Sequence, residues 1–246
     1  MRAFLLLPMV AALPAFAVDH GLWDALLKRY VNEQHRVDYG RWKQDGVAAL
    51  DGYLATLAAS WTTPQDKASL LNAYNALTIR WVLAHYPIES IWKTKKPFRE
   101  ARHTVNGEKI SLDAIETRLR KMGDPRIHAA LVCAARSCPP LRREAYSADK
   151  VEQQLAENTR RWLADPELNS FDAAKRTARI SMIFKWYKDD FPALEKFLAG
   201  HAREHGWIAP GIRIEHKEYR WGLNDSSSLG ESYGGTAFYW DALRNR

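Results

Sequence analysis

Apolar side chains recur at three- and four-residue spacing at Leu22, Trp23, Leu26, Leu27, Tyr30 and Val31, and again at Val47, Leu50, Tyr53, Leu54 and Leu57 after an Asp45-Gly46 break. That period predicts two amphipathic helices. A third helix is marked by Thr63 as N-cap, Pro64 at the first helical position and Asp66 in the first turn, and Pro87 stops it near Tyr86. At about 100° per residue, Leu70, Tyr74, Leu77 and Trp81 share one face of it. Ser69, Ala73 and Ala76 form a second face of small residues, where another backbone can approach closely. Such a helix is buried on most sides. Asn72 and Asn75 project together from its remaining flank, and an unsatisfied buried amide costs about 1–3 kcal/mol. They are therefore expected either to bond neighbouring backbone or to face a polar cleft.

Further along, Asn106-Gly107 inside the segment 104–110 carries the signal of a tight hairpin. Ser111 caps a helix that contains Ile115, Glu116 and Leu119 and ends at Gly123. The apolar run 126–133 reads as a buried strand, with helix as the alternative. Ser137-Cys138-Pro139-Pro140 leaves it as a loop, because consecutive prolines cannot join a ladder. Helical patterns cover 151–163, 182–188 after a Ser181 cap, and 193–205 after Pro192, before a strand-like 212–216. The Ser- and Gly-rich stretch 225–235 is expected to be mobile, with Phe238, Tyr239 and Trp240 docking beyond it. The sum is an α+β, mostly helical single domain over residues 18–224, with a buried central helix packed on a small β-sheet, followed by a C-terminal extension over 225–246.

Composition narrows the class. A chain of 246 residues that is 46% hydrophobic and 26% charged is neither a disordered tail nor a fibrous rod. Residues 1–17 read as a signal peptide: Arg2 precedes the apolar run 4–13, and Ala15-Phe16-Ala17 has the small-x-small form of a cleavage site. The expected location is periplasmic or secreted. No later run approaches the roughly 20 apolar residues of a membrane-spanning helix, so no transmembrane segment is expected in the mature chain. Removing 1–17 takes away only Arg2, so the formal charge goes from +7 to +7 − 1 = +6. Export argues against nucleic acid as a partner, and leaves an unidentified small molecule, peptide or glycan of the cell envelope. Ten Trp furnish either an aromatic-rich core or an aromatic and basic recognition surface.

The densest chemistry lies between Asp124 and Pro140. A thiol nucleophile needs a lowered pKa and a base within hydrogen-bond reach. Cys138, in a Pro-terminated loop, is the more accessible candidate and Cys133 the second; Arg126, Arg136 and His128 supply positive charge nearby in sequence. On a strand, His128 and Cys133 point to opposite faces, so His103, just before the hairpin, is the alternative base. Against a catalytic thiol stands a local Cys133–Cys138 bridge, which the oxidising compartment favours. Glu116 either orients an imidazole or pairs with Arg118 or Arg120. A metal-dependent reading would use His103, Glu116 and His128, but none of the three stands in a His-x-x-x-His or Cys-x-x-Cys spacing. No nucleotide-binding glycine motif occurs, and no cofactor is expected.

Several stretches together resemble the domain of unknown function 547 family. They are Leu71-Asn72-Ala73-Tyr74-Asn75-Ala76-Leu77, Tyr86-Pro87-Ile88, Gly107-Glu108-Lys109-Ile110-Ser111-Leu112-Asp113, and the run from Asp124-Pro125-Arg126-Ile127-His128 through Cys133 to Ser137-Cys138-Pro139-Pro140-Leu141. The resemblance extends to Phe184-Lys185-Trp186-Tyr187-x-x-Asp190-Phe191 and to Tyr219-x-Trp221-x-Leu223-Asn224. It implies a single exported α+β domain with the Asn-bearing helix close to the His/Cys segment. Its fold-level likeness to papain-like and transglutaminase-like hydrolases stops at the nucleophile. Those enzymes open the central helix with Cys, where Thr63, Pro64 and Gln65 stand here. Two functions follow as expectations. One is a cysteine-dependent hydrolase or acyl transferase using Cys138 or Cys133, His128 or His103, with Asn72, Asn75 or Glu116 in support. The other is a non-catalytic periplasmic binding or interaction module with a structural disulfide.

Overall fold

The computed structural model describes residues 18–59, 66–201, 211–231 and 233. The two N-terminal patterns form α1 (Gly21–Tyr30) and α3 (Val47–Ala58), separated by α2 (Tyr39–Asp45). They close on one another through stacked rings, Trp23 on Tyr53 at 5.7 Å and Tyr30 on Trp42 at 4.8 Å between centroids. Geometry of this kind adds to the large apolar area the rings bury.

The central helix α4 runs from Lys67 to His85. Its N-cap is Asp66, whose carboxylate accepts from the amides of Ala68 and Ser69, so the helix begins later than Thr63 and Pro64 predicted, and those two fall outside the described residues. Fourteen of its residues are buried, from Ala68 to Leu83. Its principal neighbours are the helices α2, α3 and α5 (Leu112–Arg120) rather than the small β-sheet that the sequence predicts, and the small side chains Ser69, Ala73 and Ala76 are among those buried.

The hairpin is formed by β1 (His103–Val105) and β2 (Glu108–Ile110), with His103 opposite Ile110. Asn106 and Gly107 both take positive φ, 51° and 75°, as a tight primed turn requires. The second sheet has the order β3-β4-β5, from Ser170–Asp172, Thr177–Ile180 and Arg213–His216. The first pair is antiparallel and the second parallel. Helices α6 (Val151–Ala164), α7 (Ile183–Trp186) and α8 (Leu194–His201) complete an α+β, mostly helical domain. Among the described residues no helix is long and apolar enough to cross a membrane.

The run 126–133 is not a strand. Asp124 caps a short 3₁₀ turn, Pro125–Ala129, and the chain then continues without regular structure. Backbone groups that a ladder would have paired are met by side chains instead: Asn75 donates to Ala130 O at 3.0 Å and accepts from Val132 N at 2.9 Å. Asn158 of α6 donates to the carbonyls of Ala129 and Pro140. Every buried backbone donor and acceptor needs a partner, and carboxamides presenting both at once can replace a neighbouring strand.

Ordering reaches further toward the C-terminus than the composition suggested. The stretch from Asp225 is anchored where it is described: Ser226 N bonds Val37 O, Tyr233 O accepts from Gly222 N, and Asp225 is buried. Phe238, Tyr239 and Trp240 fall outside the described residues, as do residues 1–17. The described tryptophans, Trp23, Trp42, Trp81, Trp92, Trp162, Trp186 and Trp221, are all buried or half-buried, which makes them core and cleft wall rather than an exposed recognition face.

Candidate functional site

Residues 134–137 are tied to the C-terminal segment by Arg136 N to Gly222 O at 2.7 Å, Ser137 N to Arg220 O at 3.2 Å and Asn224 N to Ala134 O at 2.9 Å. This pairing lays Tyr219 and Trp221 beside the two cysteines. Together with Tyr74 from α4, Glu116 from α5, His128, Trp186 and Tyr187, they line a narrow cleft of about 40 Å³. That is room for roughly one water molecule.

Cys133 and Cys138 are joined as a disulfide. Both sulfurs line the cleft, and the Tyr219 hydroxyl lies 3.3 Å from each. The amide of Cys133 donates to Cys138 Sγ at 3.1 Å. Accessibility is the reverse of the sequence expectation: Cys138 is 5% exposed and Cys133 is half-buried, because the Pro139-Pro140 segment turns inward and is itself buried.

His128 reaches the same cleft because the 3₁₀ turn and irregular chain abolish the face alternation that a strand would impose. Its Nε2 lies 2.7 Å from Asp190 Oδ2, and its ring packs on Tyr187 with centroids 4.2 Å apart. Arg120, at the end of α5, donates to both oxygens of that carboxylate, at 2.5 and 3.0 Å. Burial opposes ionisation of Asp190, but Arg120 and then His128 hold its carboxyl below the ordinary range. Burial also dominates at His128 and pushes it down to about 4 even though Asp190 favours the charged form. The imidazole is therefore neutral near pH 7. An ionised Asp190 can only accept, so Nε2 carries the proton and Nδ1 holds the lone pair of a base.

The remaining candidates separate from this group. Asn72 and Asn75 are buried and not among the cleft-lining residues: Asn72 clamps the backbone of Tyr146, donating to its carbonyl at 2.8 Å and accepting from its amide at 2.9 Å, as Asn75 does for residues 130 and 132. Their role is to shape the chain that carries the site. His103 lies on β1 outside the cleft, with its Nε2 buried; burial, then Arg102 and Lys109, push it down to about 4. Glu116 does line the cleft, while Arg118 pairs with Glu108 and Arg120 with Asp190. Arg126 is engaged by Asp124 and Glu152, and Arg136 by Glu231 and Ser227, so neither lines the cleft near the sulfurs. Among the described residues, no group of three or more His, Cys, Asp or Glu is arranged to hold a metal ion, and His103 stands apart from Glu116 and His128.

Asp190, Arg120, Tyr219 and Trp221 were not singled out as site residues from sequence. Asp190 is 62 positions from its histidine partner, and no local spacing rule connects them. The one available signal was that Asp190, Tyr219 and Trp221 fall inside the two C-terminal stretches that resemble the family.

Residues 58–163 match the family model described as "Protein of unknown function, DUF547". That match covers the central helix, the hairpin and the His/Cys segment, and stops before the stretches carrying Asp190 and Tyr219. No curated protein and no solved structure matches the chain.

Proposed function

We propose that the chain, whose residues 58–163 match the DUF547 family model, is an exported thiol-dependent hydrolase or acyl transferase whose cysteines are stored as a disulfide. The observation that carries the reading is that the Asp190-oriented His128 and both sulfurs line one cleft. Reduction by an external thiol returns two thiols. One of them loses its proton to His128 Nδ1 and attacks an acyl carbonyl; the leaving group takes that proton back, and water or a second acceptor then releases the acyl group. Asp190 fixes the imidazole tautomer and Arg120 fixes Asp190. Export is supported by the Arg2, apolar and Ala15-Phe16-Ala17 pattern and by a cysteine pair of the kind that persists in oxidising compartments.

The test reduces the folded protein, offers p-nitrophenyl acetate and weighs the intact chain. A gain of one acetyl group, blocked by prior alkylation and slowed about 10²- to 10⁴-fold in His128→Ala, is the expected result. If the reduced, still-folded protein gains no acetyl group, the reading is wrong. The bridge and the small volume of the cleft favour the second reading, a non-catalytic envelope module with a structural disulfide, and that outcome would support it. N-terminal sequencing of the exported chain, expected to begin at Val18, checks the signal peptide.

A further inference from the structure

The two sulfurs of the bridge are not equivalent. Cys133 is half-buried at the cleft, whereas Cys138 is 5% exposed. Conversely, Cys138 Sγ receives a backbone donor, the Cys133 amide at 3.1 Å, and both sulfurs lie 3.3 Å from the single hydroxyl of Tyr219. Cys133 is thus the more exposed residue of the pair, and Cys138 Sγ the sulfur with a backbone N–H donor, while the Tyr219 hydroxyl is equidistant from both. In thiol–disulfide exchange the rate depends on which sulfur is reached and on how well the departing sulfur bears its charge.

We propose that the cleft performs directional thiol–disulfide exchange with a slim, low-molecular-weight thiol: the thiol attacks Cys133 Sγ, and Cys138 leaves as a thiolate held by the Cys133 N–H and the Tyr219 O–H. The incoming thiol gives its proton to solvent, its sulfur forms a bond to Cys133 Sγ, and the electron pair of the Cys133–Cys138 bond passes to Cys138 Sγ. A second molecule of the thiol then attacks the outer sulfur of the mixed disulfide, leaving Cys133 as a thiolate that takes up a proton. The small-molecule disulfide is the oxidised product and the protein dithiol the reduced one. Alternatively, the Cys138 thiolate attacks Cys133 Sγ, re-forms the bridge and expels the thiol. The small volume of the cleft, about 40 Å³, disfavours a bulky thiol. This assignment rests on the reading that the cleft works through its sulfurs, and it uses no acyl substrate.

The experiment treats the bridged full-length protein with limiting 2-mercaptoethanol, quenches with acid, alkylates and maps both peptides by mass. The expected result is the mercaptoethanol adduct on Cys133 and the alkyl label on Cys138. An adduct on Cys138, equal adducts on both, or no reaction without denaturant overturns the proposal. Tyr219→Phe, with its fold checked by circular dichroism, is expected to slow the exchange about 10-fold and to move the Cys138 alkylation profile to higher pH; an unchanged rate and profile removes Tyr219 from the step. The adduct map needs no variant, so it decides the direction of attack even if that substitution unfolds the chain. Acetyl transfer is read separately: exchange at Cys133 without acetylation overturns the acyl-transfer reading alone, and acetylation of a chain whose adduct forms on Cys138 overturns the direction of exchange alone.

Discussion

His128 shows how burial and a partner compete at a single residue. In the unfolded chain it titrates near 6.5, and in the fold at about 4, because burial outweighs the pull of Asp190. Between those values the unfolded state holds more protons, so this contribution is complete above about pH 6.5 and is lost as pH falls toward 4. The full displacement corresponds to roughly 3 kcal/mol. His103 acts in the same direction over the same window. The urea midpoint is therefore expected to decline from pH 6.5 to 4, with a shallower decline in His128→Gln; a midpoint that is flat or rising there would contradict the burial argument. Asn75 makes a second test at this scale. Asn75→Ala leaves Val132 N–H and Ala130 C=O buried without their partner, which is expected to cost about 2–4 kcal/mol in equilibrium unfolding. A loss below about 0.5 kcal/mol, the range of an ordinary surface change, would mean the clamp is dispensable.

Elements were readable in the sequence wherever one period ran long enough. The patterns behind α1, α3, α5 and α6 and the Asn106-Gly107 turn needed only local chemistry, and each formed as read. Helix α2 and strands β3 and β4 span seven, three and four residues, too few to display a period. The run 126–133 misled for a different reason: its apolar residues are buried as a strand's would be, but its hydrogen-bond partners are amides 55 and 57 positions away. The site was legible to the same degree. His128, Glu116 and the cysteines lie in stretches that looked chemical, whereas Asp190 reaches His128, and Tyr219 the cleft, only through tertiary contacts. The segment that carries Tyr219 is itself crossed closely by the backbone at Gly230. A Cβ on Gly222 would stand 1.8 Å from Gly230 O, and Gly230 itself has φ +82°. Gly222→Ala is expected to force the two segments apart, to lower stability by more than about 2 kcal/mol, and to change the alkylation rate of the reduced cysteines by shifting Tyr219. Normal stability in that variant would show that the crossing has slack.

For the molecule as a whole, thiol chemistry requires that the reduced chain stay folded. Cys133 and Cys138 are five positions apart. Closing so small a loop, of about six residues, stabilises by only about 2 kcal/mol on the chain-entropy argument. The loop has other restraints: Arg136 and Ser137 amides bond the carbonyls of Gly222 and Arg220, Asn224 N bonds Ala134 O, and Asn75 and Asn158 hold the chain on either side. These bonds involve no sulfur, so reduction does not itself remove them. A domain of this size commonly has 5–15 kcal/mol of stability, so a loss of about 2 kcal/mol leaves it folded. The double variant Cys133→Ser/Cys138→Ser, and the wild type in excess reductant, are each expected to show a lower urea midpoint with an unchanged far-ultraviolet circular dichroism spectrum. If reduction instead abolishes the cooperative transition, the bridge is the staple that holds 134–137 against 220–224. His128 would then have no folded thiol to serve, and the thiol-dependent reading would fall in favour of the non-catalytic one.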